Sequence, residues 1–171
     1  MPKISVGAEE NTETSKIRNV VRAVFGREDE ANLVEALRES HAYRPNLSLV
    51  AHLDGDAAGH VMFSKFVLDD YPEKDALVLA PLAVSPEHQR SGVGSELVRV
   101  GLQTARESGY ELVFLHGDSD YYERFGFTPA IDAGFENPFD MPDEGFLVCG
   151  LAADSLADVA GTLTYPTPFR E

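Results

Sequence analysis

The order of local patterns along the chain predicts an α/β fold built on a mixed sheet. Three observations carry that prediction. Leu77 to Val84 is an almost uninterrupted apolar run, as in a strand covered on both faces. Leu97, Val98, Gly101, Leu102 and Ala105 then recur at the spacing of a helix buried along one side. Leu112 to Leu115 is a second short apolar run. Strand, helix and strand in that order form a βαβ crossover, so the two strands are expected to lie parallel and adjacent.

The elements follow in chain order. Residues 3–8 alternate as in a short first strand, and residues 11–15 supply capping side chains for a helix carrying Ile17, Val20, Val21 and Val24. Gly26 ends it. A second helix is expected from Asp29, with Ala31, Leu33, Val34 and Leu37 inward, and Arg44-Pro45-Asn46 breaks it. Leu47 to Leu53 and Ala58 to Leu68 read as a hairpin about the turn Asp54-Gly55-Asp56. A calcium loop at these aspartates lacks its other ligand positions. Asp69 to Lys74 reads as a polar connection into the strand at Ala76. Beyond Leu115, residues 117–120 offer a turn and cap for a short helix, Tyr121 to Phe125, with Gly126 as its terminal glycine. Phe127 to Ile131 reads as a strand, residues 133–144 as irregular, and Phe146 to Leu151 as a last core strand. Asp154 is expected to cap a short helix, and Thr162 to Tyr165 to form an edge strand.

At 171 residues, with 43% hydrophobic and 25% charged side chains, the composition is that of one soluble domain spanning 1–171. No apolar run approaches the roughly 20 residues of a membrane span, and Met1 to Ser5 lacks the apolar block of a secretory signal. No membrane partner and a cytoplasmic location are therefore expected. The formal net charge of −15 argues against a nucleic-acid partner, which would need clustered Lys and Arg. It biases long-range approach toward cations such as amines, although acids scattered this widely fit solubility or salt adaptation equally. The single cysteine, Cys149, excludes an internal disulfide and a cysteine cluster for zinc, and its apolar neighbours make it a buried hydrophobe.

Between the strand and the long helix lies Gln89-Arg90-Ser91-Gly92-Val93-Gly94. A phosphate loop needs N–H groups unobstructed by side chains and gains from opening into a helix N-terminus. Gly92, Val93, Gly94 and Ser95 meet both demands, and Arg90 adds a cation. The NTPase P-loop is excluded because no lysine follows Gly94, and the dinucleotide fingerprint because Leu97 stands where its third glycine belongs.

This loop resembles the Gln/Arg-x-x-Gly-x-Gly/Ala signature of the GNAT superfamily of acyl-CoA-dependent N-acyltransferases. Residues 82–88 look like that family's strand-to-loop entry. Tyr121-Tyr122-Glu123-Arg124-Phe125-Gly126-Phe127 resembles its Tyr-Glu-x-x-Gly-Phe segment, and Leu115-His116-Gly117-Asp118 before it is similar to the YhbS-like subgroup. The resemblance covers roughly residues 77–130. It implies the GNAT fold, with a mostly antiparallel central sheet, one parallel splayed pair and flanking helices.

For chemistry, the resemblance implies an N-acetyltransferase that moves the acetyl group of acetyl-CoA directly onto a primary amine, with no metal. The pantetheine arm would pair with backbone groups of Leu82, Ala83 and Val84, and Val84 N–H would polarise the thioester carbonyl. Gln89, Arg90, Ser91, Gly92, Val93, Gly94 and Ser95 would hold the pyrophosphate. Tyr122 matches the family tyrosine that protonates the departing thiolate, with Tyr121 as the alternative, since helix spacing alone does not separate them. A free alkylamine has a pKa near about 10.4, so a proton must be removed for attack. Many members carry a glutamate for this in the strand before the loop, but residues 77–82 hold no acid. Glu87 and His88 read as solvent-facing; His116 is better placed, though a structural role is its simpler reading, and a water wire is the alternative. The base is thus unassigned. His52 and His60 are expected to face each other across the hairpin and, like His41, to have structural or surface roles. Residues 26–46, 63–75 and 132–144 are expected to build the acceptor surface; monomer and homodimer are both open. The competing reading is an acyl-CoA sensor without catalysis.

Overall fold

The structure is a computed structural model that describes residues 3–170; Met1, Pro2 and Glu171, included in the single-domain reading, lie outside the described residues. Its strands are β1 (Ile4–Ala8), β2 (Ser48–Leu53), β3 (Asp56–Leu68), β4 (Tyr71–Val84), β5 (Leu112–His116), β6 (Thr128–Pro129) and β7 (Phe146–Gly150). Its helices are α1 (Thr14–Phe25), α2 (Asp29–Arg38), α3 (Val93–Glu107) and α4 (Ser119–Tyr122). The sheet order is β1-β2-β3-β4-β5-β7-β6. β4 and β5 pair in parallel, residues 76–78 opposite 112–114, whereas β1–β2, β2–β3, β5–β7 and β6–β7 are antiparallel. The expected mixed sheet with one parallel crossover pair is what the chain adopts.

The chain divides into two compact units, the first comprising residues up to Ser64 together with Ala80–Thr104. Here α1 buries Ile17 and Val21, and α2 buries Ala31, against Val50 of β2 and Ala83 of β4. Gly26 closes α1 in the left-handed region at φ 69°, its N–H donating to Arg22 O at 2.8 Å. α2 also buries Val34 and Leu37, but Leu33 is only half-buried. On α3, Gly101 makes room for a core ring: a Cβ there would lie 2.3 Å from Phe63 Cε1.

A polar network is buried in the same unit. Glu9 accepts from Arg38 Nη2 at 2.8 Å and Tyr43 Oη at 2.7 Å, tying the end of α2 to the residue after β1. His60 is fully buried, with Nε2 3.0 Å from Ser48 Oγ. The expected confrontation of His52 and His60 does not occur. The tight turn after Leu53 sets His52 opposite Ala57, a bulge after Ala51 sets Val50 opposite His60, and His52 instead meets Glu13 at 2.6 Å. Both histidines serve structure, as expected.

The second unit comprises Lys65–Leu79 and the residues from Ala105 on. Its core is largely aromatic, with Phe66, Phe114, Phe135, Phe146 and Tyr165 all buried. Two sequence expectations are corrected at β4 and the C-terminus. Residues 71–75 are strand rather than connection, because cross-strand charges stabilise this polar stretch: Lys65 lies 3.4 Å from Asp75, and Lys74 3.3 Å from Glu111. The edge strand at 162–165 reduces to one bridge between Leu163 and Leu68, and the helix after Asp154 to turns closed by Ser155 N–H to Ala152 O and Ala157 N–H to Asp154 O. The strand expected over 127–131 shrinks to β6, since Pro129 has no N–H and the chain turns after Ala130. Cys149 is buried, and burial pushes its thiol pKa up. Among the described residues, no helix is long and apolar enough to cross a membrane, and no group of three or more His, Cys, Asp or Glu could hold a metal ion.

His60 makes stability depend on pH. Desolvation lowers its pKa from 6.5 to about 4, so between those values the unfolded chain binds a proton that the native chain refuses. The contribution of this group is therefore fully present above pH 7 and is lost as the pH drops through 6.5 toward 4. We expect a His60→Gln variant to show a flatter loss of Tm between pH 7 and 5 than the parent, whose slope from this group approaches about 1.4 kcal/mol per pH unit; thermal melts across that range are the check.

Candidate active site

The loop and helix start occupy the first unit. β4 reaches Val84, and Ser85 N–H donates to Ala58 O of β3 at 2.8 Å. Successive residues of a strand direct their backbone groups to alternate sides. Leu82 and Val84 therefore turn their N–H and C=O away from β3. Their side chains are half-buried, while that of Ala83 is buried in the α1–α2 core. By the same alternation Ala83 turns its N–H and C=O toward β3, unlike its two neighbours.

A short 3-10 turn at Pro86–His88 leads into the loop. Gln89 Nε2 donates to Val84 O at 3.1 Å, so this side chain braces the loop against the end of β4. Ser91 Oγ donates to His88 O. The chain passes through the left-handed region at Arg90, φ 63°, and again at Gly92, φ 90°. Arg90 carries local backbone strain there that Gly92 avoids. Arg90, Ser91 and Gly92 are exposed.

α3 begins at Val93, and Gly92 O accepts its first helical bond from Glu96 N–H at 3.0 Å. The N–H groups of Val93, Gly94 and Ser95 precede Glu96, the first donor of the helical ladder, so they point out of the helix end. A 15-residue helix adds its dipole to them. Val93 plugs its own side chain into the core, where a Cβ on Gly59 would come within 2.9 Å of it. The loop therefore presents bare amides, the positive end of a helix and one guanidinium, an arrangement that takes a phosphate or pyrophosphate.

The tyrosines belong to the second unit. Asp118 caps α4, its Oδ1 accepting Asp120 N–H at 3.0 Å, and a 3-10 turn at Glu123–Phe125 ends at Gly126 with φ 96°. Spacing left Tyr121 and Tyr122 equivalent, but packing distinguishes them. Arg124 covers the Tyr121 ring, its guanidinium carbon 4.6 Å from the centroid. Tyr122 packs inward against Phe127, centroids 5.7 Å apart, and over Gly117. Burial raises its pKa well above 10, so the hydroxyl keeps its proton through the neutral range.

His116 ends β5 with its ring stacked on Phe146 at 5.1 Å and Nε2 3.2 Å from Tyr165 Oη. Forty-nine residues separate the partners, so no sequence spacing announces the pair. Of the loop-entry side chains, Glu87 is exposed, as expected, and His88 is half-buried.

The sequence matches the acetyltransferase (GNAT) family over residues 14–127. It is 40% identical over 137 residues to the N-acetyltransferase YjhQ of Escherichia coli K12, itself uncharacterized, covering 79% of this chain and 76% of that one. Among solved structures, YhbS of Escherichia coli, a GNAT family N-acetyltransferase in complex with CoA, superposes with a TM-score of 0.92 at 31% identity, over 100% of this chain and 94% of the other. A GNAT family acetyltransferase of Brucella melitensis in complex with acetyl-CoA gives 0.79 at 29% identity, over 98% of each chain.

Gly117 is the space into which the Tyr122 ring fits, since a Cβ would lie 2.8 Å from Tyr122 Cε2. Gly117→Ala is expected to cost about 1–3 kcal/mol by overpacking. The same substitution in a Tyr122→Ala background should cost much less, a non-additivity that a double-mutant cycle on Tm measures directly.

Proposed function

The chain belongs to the GNAT family of acetyl-CoA-dependent N-acetyltransferases, and we propose that it transfers an acetyl group to a primary amine by direct attack on the thioester. The observation that carries the donor assignment is the braced loop running into the open amides of α3 behind a strand of the parallel pair. In this reading Gly92, Val93, Gly94 and Ser95 give their N–H groups to the pyrophosphate, and Arg90 adds an ion pair. Gln89 and Ser91 contribute by holding the loop in shape.

Leu82 and Val84 pair with the pantetheine amides through backbone groups that β3 does not use. Val84 N–H, the donor left when its carbonyl is taken by Gln89, stabilises the developing oxyanion. A neutral backbone donor held on a strand needs no reorganisation as charge develops. Tyr122 protonates the thiolate as the C–S bond breaks. We treat the chain as one functional domain working in the cytoplasm, since the family match runs through residues of both compact units. The excess of acidic side chains favours a cationic acceptor over an acidic one as a weak, salt-sensitive bias.

Titration calorimetry with acetyl-CoA, and thiol release over a panel of butylamine, a polyamine and short peptides with free N-termini, test this reading. Gly92→Asp forces a side chain into left-handed backbone and puts a carboxylate at the anion site, so its affinity for acetyl-CoA is expected to fall at least tenfold. Equal binding by parent and variant would remove the pyrophosphate assignment. Tyr122→Phe is expected to lower kcat by about 10²-fold with the KM for acetyl-CoA little changed; unaltered kcat would end the acid role. Tight acetyl-CoA binding with no transfer to any amine would favour the sensor reading.

A further inference from the structure

We propose that β1 is the interface through which two copies of the chain associate, edge to edge and antiparallel about Val6. The inference is independent of the acetyl-transfer reading. β1 ends the sheet, with β2 on one side and no strand on the other among the described residues. Two bonds just beyond its ends fix which of its backbone groups are spent. Asp54 N–H donates to Lys3 O at 3.2 Å, and Glu9 N–H donates to Ser48 O at 2.9 Å. Residues 3 and 9 therefore turn inward to β2, and alternation turns Ser5 and Gly7 inward with them. Ile4, Val6 and Ala8 direct their N–H and C=O groups outward, where the sheet stops.

Open edges are usually guarded by a proline, an inward-pointing charge or a bulge. β1 reads Ile-Ser-Val-Gly-Ala, with no proline and no charged side chain, and its five pairs with β2 run without a register shift. Ser5, Gly7 and Ala8 are exposed. Nothing stands over the strand at Gly7, where a Cβ would meet no atom within 4 Å. The chain carries a net charge of −15, yet residues 3–8 hold no acid, so a second copy meets no like charge along this strand.

The strand is also complementary to itself. A two-fold axis at Val6 sets Val6 opposite the partner's Val6, Ile4 opposite the partner's Ala8 and Ser5 opposite the partner's Gly7. In that register every outward N–H and C=O of both strands finds a partner, because the outward residues fall opposite one another. The side chains facing each other across the seam are small or apolar. The ends match in charge. Lys3 is exposed and forms no ion pair among the described residues, and it comes opposite the partner's Glu9. Within one copy Arg38 pairs with Glu9, and no cation pairs with the exposed Glu10 among the described residues, so this end keeps an unmatched negative charge. A peptide from another protein has no such preset match at both ends; a second copy does.

Sedimentation velocity between about 1 µM and about 1 mM tests the pairing, a span that reaches weak, small interfaces. The parent is expected to pass from monomer to dimer as concentration rises. Val6→Pro deletes the outward N–H at the centre of the seam and leaves the inward bonds of Ser5 and Gly7, and an edge strand tolerates proline there. The variant is expected to dimerise at least tenfold more weakly, with a Tm at low concentration close to the parent's. In the parent, amide hydrogen exchange followed by NMR is expected to slow with concentration at Ile4, Val6 and Ala8 and to stay constant at Ser5 and Gly7. A parent that stays monomeric throughout the range overturns the proposal, as does undiminished dimerisation by Val6→Pro. A dimer whose Ile4, Val6 and Ala8 amides exchange as fast as in the monomer also overturns it, and this measurement decides alone if the proline variant does not fold.

Discussion

Two parallel neighbouring strands cannot be joined by a hairpin, and the three-residue ladder between β4 and β5 imposes that constraint on the chain from Ser85 to Glu111. The connection has to be long, to cross one face of the sheet and to bury an apolar stripe as it goes. α3 answers all three requirements, with Leu97, Val98, Leu102 and Ala105 buried. Its start then follows directly from the end of β4, and the few residues between are where exposed amides are unavoidable. The anion-binding role proposed for the loop is thus a by-product of the crossover, refined by two glycines and one arginine.

The brevity of the ladder matters as much as its direction. β4 continues for six residues past Val78, and in the first unit the pairing of Ser85 with Ala58 fixes which of its backbone groups β3 consumes. What remains on Leu82 and Val84 is set by strand alternation, not by side-chain identity. The Ala83 side chain answers to the core, while the backbone groups proposed for the ligand are those of Leu82 and Val84 that β3 leaves free.

Much of this was legible in the sequence because it is written in local patterns. The apolar stripes of α1 and α3, the Asp118 cap, Gly26 and Gly126 at helix ends, and the glycines of the loop each depend on neighbours within a few residues. What escaped depends on partners far along the chain. Residues 71–75 look like a connection until Lys65 and Glu111 are seen to complement their charges. His52 and His60 miss each other because the tight turn after Leu53 sets His52 opposite Ala57, and the bulge after Ala51 then shifts the register by one residue without changing composition. In the site, spacing found Gly92 and Gly94 but held Tyr121 and Tyr122 level; only burial against Gly117 and Phe127 separates them. His116 was visible as a histidine at a strand end, but its partner Tyr165 sat in a segment expected to be an edge strand.

The brace between Gln89 and the Val84 carbonyl has an energetic consequence for ligand capture. A loop that must be ordered by its ligand spends part of the interaction on lost conformational freedom, about 1–2 kcal/mol for each residue immobilised. Here the side chains of Gln89 and Ser91 have already spent it during folding. On the proposed reading, donor association then meets a loop already in shape and spends less of its interaction on ordering it. The folding free energy of the chain, and not the cellular concentration of its donor, carries the cost of keeping the site in shape.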